Sequence, residues 1–158
     1  MNINLTFIQI KKVKSFPRLT GLIPIVFILI VSCNSSRHNN KGVQSAMNQY
    51  DHYIQTMDVD SIALLFTQNG DLGAMAHGRD SIRNFLDKFK SFKVLSQTST
   101  TDSIKSTRDS TIQKGIYHQT VIVPVNDTVT VKGEYTATWV WLPNKGWHLK
   151  KMETNPIK

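Results

Sequence analysis

Residues 48–89 read NQYDHYIQTMDVDSIALLFTQNGDLGAMAHGRDSIRNFLDKF, and this stretch decides the fold. Val43, Met47, Tyr50, Ile54 and Met57 are spaced by four, three, four and three, which puts them on one face of a helix running to residue 57. Asp58 stands where an N-cap belongs. Val59, Ile62, Ala63 and Phe66 repeat the stripe over 58–67. Asn69-Gly70-Asp71 predicts a turn, because Asn and Gly tolerate positive φ. Ile82, Phe85, Leu86 and Phe89 form a third stripe over 79–89, opened by Gly78 and capped by Asp80 or Ser81. Stripes of this kind are first of all core.

After Phe89 the apolar period changes from 3.6 to 2. Strands are expected over 92–104, 111–125, 128–142 and 147–153. Asn126-Asp127 joins the second to the third, and Pro143-Asn144-Lys145-Gly146 joins the third to the fourth. On the third strand Val131, Gly133, Tyr135, Ala137, Trp139 and Trp141 share the inward face. On the second, Ile116, His118, Thr120 and Ile122 share one face and Tyr117, Gln119, Val121 and Val123 the other. Three helices followed by an antiparallel meander argue an α+β domain.

The order Tyr50, Asp58-Val59-Asp60, Leu65-Phe66, Asn69-Gly70-Asp71 and Gly78-Arg79-Asp80-Ser81-Ile82-Arg83-Asn84-Phe85 resembles the nuclear transport factor 2-like superfamily. That group includes the SnoaL-like cyclases and the ketosteroid isomerases. Residues 136–142 and Gly146-Trp147-His148-Leu149 resemble its C-terminal hairpin. The resemblance implies a cone-shaped, cystatin-like fold with three helices on a curved sheet. It also implies an apolar pocket lined by Tyr50, Tyr53, Met57, Trp139 and Trp141. These rings either wall a ligand site or fill the cone.

Isomerase chemistry in such a pocket uses a carboxylate, a tyrosine and a protonated acid. Tyr50 falls on the tyrosine position, but the base position falls on Ala74 and the second acid near Ala137, and neither moves a proton. The reading therefore leans away from an enzyme. Residual acid–base candidates are Tyr50, Asp71, His77 and His118, as in a dehydratase, with Asp71 and His77 paired at the pocket rim. His118 and His148 lie on neighbouring-type strands and are expected either to meet in space or to face solvent. Among His38, His52, His77, His118 and His148 no pair has metal-ligand spacing, so neither a metal nor another cofactor is expected.

The chain opens with Lys11, Lys12, Lys14 and Arg18, then an apolar run over 19–31 that is short for a membrane span. Ile30-Val31-Ser32-Cys33 resembles a bacterial lipobox. The expected organisation is a signal peptide over 1–32, a lipidated tether over 33–41 starting at Cys33, and one domain over 42–158. The membrane is then a partner through a lipid on Cys33, and the domain sits in the cell envelope facing the periplasm. Cys33 is the single cysteine, which excludes an internal disulfide. The full chain is +8, but residues 1–32 hold four of its nineteen bases and no acid. The remainder carries fifteen bases against eleven acids, an ordinary surface that gives no argument for nucleic acid.

Two further partners are expected: a small apolar or amphipathic ligand, and a second copy paired through the face that carries Ile116 and Ile122. A structural module with a filled cone is the alternative to ligand binding. The Asp-Ser or Asp-Thr steps at Asp60, Asp80, Asp102, Asp109 and Asp127 resemble the O-glycosylation acceptor of Bacteroidota envelope proteins. The first two also suit helix starts.

Overall fold

The computed structural model describes residues 40–107 and 109–157. The expected signal peptide, Cys33 and most of the expected tether lie outside the described residues. The first helix, α1 (Asn40–Thr56), takes in the last two residues assigned to the tether. It ends where Met57 turns left-handed, with φ 50°. Asp58 then caps α2 (Val59–Leu65), its carboxylate accepting from the Ser61 N–H at 3.0 Å. The Ser61 hydroxyl first, and its N–H after it, hold the Asp58 carboxyl below its ordinary range. The second helix stops two residues earlier than the stripe predicts, because Phe66 is already extended and opens β1 (Phe66–Leu72).

Asn69-Gly70-Asp71 is therefore strand and not turn. The reason is close approach: a Cβ on Gly70 would stand 3.0 Å from the Phe66 ring and 3.1 Å from the Leu149 carbonyl. The chain reverses three residues later, at Gly73 with φ 54°, into β2 (Ala76–His77). The third helix, α3 (Arg79–Asp87), starts from Gly78 with φ 81° and has no side-chain cap bond, so neither Asp80 nor Ser81 does the capping expected of them. Arg79 ties the helix down instead, its guanidinium donating to the Phe66 carbonyl at 2.7 Å. Arg83 pairs with Asp60 and so joins α3 to α2.

The remaining strands are β3 (Lys93–Ser106), β4 (Ser110–Ile122), β5 (Thr128–Leu142) and β6 (Gly146–Pro156). They form the expected antiparallel meander, and the whole six-stranded sheet runs β2-β1-β6-β5-β4-β3. One pairing is parallel: β1 lies beside β6, with Leu72 opposite Met152. It arises because the second helix gives way to a strand before the meander begins. Asn126 and Asn144 take positive φ, 61° and 63°, in the two predicted hairpin turns.

Bulges curve the sheet. On β3, Leu95 and Asp102 are each an extra residue against β4. On β6, Lys150 is extra against β5, so the inward face shifts from Trp147 and Leu149 to Met152. The helices pack on the concave side. Val43, Met47, Ile62, Phe66, Ile82, Trp139 and Leu149 are all fully buried there. The architecture is the expected α+β one: three helices on a curved, mostly antiparallel sheet.

Candidate functional site

The concave face is not completely filled. A cavity of about 180 Å3 opens between α1, α3 and the inner faces of β3 to β6. Its apolar walls come from Ile54 of α1, Phe85 and Leu86 of α3, Leu72 of β1 and Met152 of β6, with Met75 at the mouth. Strand alternation sets the opposite wall. Gln97 and Ser99 on β3 face inward, and their partners across the ladder are Gln119 and Tyr117 on β4. Tyr135 on β5 and Thr154 on β6 are opposite each other and complete that wall.

Two glycines aim the strand tyrosines. Gly115 is the ladder partner of Tyr135, and Gly133 is the partner of Tyr117. Each ring lies over the glycine opposite: a Cβ on Gly115 would meet Tyr135 at 2.9 Å, and one on Gly133 would meet Tyr117 at 2.5 Å. Without side chains at 115 and 133 both rings lie over the glycines opposite, and the Tyr135 hydroxyl meets Thr101 Oγ1 at 3.1 Å. Tyr50 enters from α1. Only 9% of it is exposed, and its hydroxyl has no hydrogen-bond partner among the described residues. Burial first, and the neighbouring Asp51 and Tyr117 after it, push the Tyr50 phenol far above its ordinary value. Desolvation raises Tyr117 and Tyr135 as well. All three phenols therefore stay protonated at neutral pH and can donate.

Asp51 sits behind this wall. Its carboxylate accepts from Gln97 Nε2 at 3.0 Å and from Ser99 Oγ at 2.7 Å. Burial pushes its carboxyl above the ordinary range, opposed by the bonds from Gln97 and from the Ser99 side chain and backbone. Beside it a shallow cleft is lined by Asn48, His52 and Gln55, and Gln97 and Ser99 border both spaces.

Of the residues expected to line the pocket, Tyr50 alone does so. Trp139 is fully buried within the core, its indole N–H donating to Gln113 Oε1 at 2.9 Å. Trp141 packs edge-on against Trp147, ring centres 5.6 Å apart, toward the hairpin end of β5. Residues 139 and 141 share a face as expected, but the cavity lies beyond Tyr135 in the other direction along the strand. Tyr53 lies one helix step round from the cavity and lines a separate groove with Leu64, Lys145 and Trp147. Met57 is displaced by the left-handed turn and lines neither space.

The acid–base candidates are placed as follows. Asp71 and His77 do pair, Oδ1 to Nδ1 2.6 Å, because they are opposite each other across β1 and β2. They face away from the cavity, since it is the next residue, Leu72, that points in. His118 is exposed on the outer face of the sheet, alternating with the inward Tyr117 and Gln119. It cannot meet His148: β5 runs between them, with His118 opposite Lys132 and His148 opposite Val140. Those two positions are about 27 Å apart along the strand. Ala74 is exposed in the turn before β2, and Ala137 is fully buried.

Sequence reasoning missed Asp51, Gln97, Ser99, Tyr117 and Tyr135 as site residues. For Asp51 a signal existed. It lies four residues after Met47 and beside Tyr50, so it falls on the buried stripe of α1.

No family model matches the sequence, and no curated protein matches it either. Solved structures do. A nuclear transport factor 2-like superfamily protein from Salmonella enterica aligns over 75% of this chain and 90% of its own, with 14% identity and a TM-score of 0.63. A ketosteroid isomerase-like protein from Erwinia carotovora aligns over 77% and 99%, with 13% identity and a TM-score of 0.65. A protein from Catenulispora acidiphila, solved in complex with S-DNPA, aligns over 73% and 91%, with 14% identity and a TM-score of 0.62. At this level of identity the likeness concerns the path of the backbone, and it shows that the chain has the nuclear transport factor 2-like fold.

Proposed function

We propose that this protein is a lipid-anchored envelope protein whose domain holds a small, mostly apolar molecule without transforming it. The observation that carries the reading is Tyr50: a buried phenol with no partner among the described residues, at a cavity with an apolar wall of Ile54, Leu72, Phe85, Leu86 and Met152. A buried donor without a partner costs free energy, and a ligand acceptor relieves that cost. Size supports the same reading, since an apolar cavity of roughly 150 Å3 holds a benzene ring. A ligand of one or two rings matches the space of about 180 Å3 found here. The described lining contains no carboxylate, imidazole or amine, which weighs against the cyclase or dehydratase alternative. The open cavity weighs against the filled-cone alternative.

The full chain purified from its own host and sprayed under native conditions is expected to carry a small molecule that denaturation releases. Leu86→Trp, which projects an indole into the cavity, is expected to lose it. The same bound mass in both proteins, or none in either, would refute the reading. Anchoring is tested separately. Cys33→Ser is expected to abolish incorporation of a palmitate analogue and to leave residues 1–32 attached. Label retained in that variant would refute lipidation at Cys33.

A further inference from the structure

One part of the cavity's polar wall presents acceptors, and a single buried residue, Asp51, sets it. An ionised carboxylate can only accept. Both Gln97 Nε2 and Ser99 Oγ spend a hydrogen on the same oxygen of Asp51, at 3.0 Å and 2.7 Å. What remains is the Gln97 carbonyl and its second N–H, and the lone pairs of Ser99. The Gln97 side chain cannot reverse its amide without setting its carbonyl against the Asp51 carboxylate. Gln97 is 9% exposed, and its carbonyl oxygen has no donor among the described residues. The Ser99 hydroxyl, its hydrogen committed, keeps lone pairs alone. Across the space stands Tyr50, whose hydroxyl has no partner among the described residues. Gln119, Tyr117 and Thr154 also line the cavity with groups that donate or accept, so the orientation fixed by Asp51 is confined to Gln97 and Ser99.

We infer that Asp51 is a positioning residue that selects for a neutral ring-sized ligand bearing its own hydrogen-bond donor, a hydroxyl or N–H, received by Gln97 and Ser99 while Tyr50 donates to the same group or to an acceptor beside it. A phenol or an aliphatic alcohol does both with one oxygen. An ether offers Tyr50 its acceptor but leaves the Gln97 carbonyl dry and unpaired, which is the costly outcome. A carboxylate fares worse. The described lining supplies no cation, and the acceptor wall backed by Asp51 repels it. This inference rests on the binding reading above and adds the identity of the ligand's polar group.

Three probes of one shape decide it: 4-ethylphenol, 4-ethylanisole and 4-ethylbenzoate, titrated into the full chain and followed by ligand-observed NMR. The phenol is expected to bind roughly tenfold or more tighter than the anisole, with the benzoate weakest. Gln97→Met keeps the length of the side chain and removes the acceptor. It is expected to bring the phenol-to-anisole ratio close to one while the anisole binds as before. Asp51→Asn, which frees the Gln97 amide to turn over, is expected to shrink the same ratio, a change that mere loosening of the fold would not produce selectively. Anisole binding equal to or tighter than phenol in the wild type overturns the inference and leaves the binding reading standing. No binding of any probe overturns the binding reading, and the inference falls with it.

Discussion

Trp139→Ala is expected to destabilise the domain by about 3–5 kcal/mol without touching the cavity. The indole is fully buried among core side chains, so truncation leaves a hole that its strand neighbours cannot close. It also strands a polar chain. Trp139 donates to Gln113 Oε1, and Gln113 Nε2 donates to Thr101 Oγ1 at 2.7 Å, which donates in turn to Gln44 Oε1 at 2.7 Å. Gln113 is itself fully buried, so losing the indole N–H leaves its carbonyl without a donor. Since small domains are stable by only about 5–15 kcal/mol, the variant is expected to lose a large part of its margin. Trp139→Phe restores most of the volume and none of the donor, so it is expected to fall between the two. Urea denaturation measures all three. A loss under about 1 kcal/mol for the alanine variant would place Trp139 in a yielding wall and not in the core.

Gly115→Ala is the second large effect. The added methyl would stand 1.9 Å from the Thr100 carbonyl oxygen and 2.9 Å from the Tyr135 ring. A ring can swing aside, but the carbonyl belongs to the β3 backbone, which is already laddered to β4. The clash therefore has to be relieved by prising the two strands apart. Overpacking typically costs about 1–3 kcal/mol, and a backbone obstacle puts this case at or above the top of that range. The denaturation midpoint is expected to drop accordingly. Tyr135 is expected to leave its station over residue 115, which near-ultraviolet dichroism of the tyrosines would record. An unfolding free energy within a few tenths of a kcal/mol of the wild type would refute the clash between the methyl and the Thr100 carbonyl.

Much of this was legible in the chain because burial leaves a period. The stripes of α1 to α3, the inward odd positions of β5 and the two hairpin turns all follow from side-chain alternation and turn chemistry. Asn69-Gly70-Asp71 misled because glycine serves two purposes. It permits positive φ, and it permits another backbone to come close; the second purpose belongs to β6, eighty residues away in sequence terms, and no local pattern announces it. The pocket misled for a related reason. Trp139, Trp141 and Tyr135 share one strand face, and alternation cannot say which of them the helices cover. That is settled by where Gly115 and Gly133 let rings lie, and by Gln113 fixing Trp139 in the core. Asp51 escapes notice because a charged residue, even one in step with a stripe, reads as solvent-facing until Gln97 and Ser99 are seen to meet it.

The two extra residues on β3 also bear on what the protein avoids. β3 is one free border of the sheet, and the other border is β2, only two residues long. A long straight border offers evenly spaced N–H and C=O groups, on which another chain can lay down a strand and begin a fibril. Leu95 and Asp102 break that spacing and leave an uninterrupted stretch of six residues, 96–101, between them. Lys93 and Lys105 add charge near its ends. The bending that hollows out the cavity thus also denies neighbouring molecules a template.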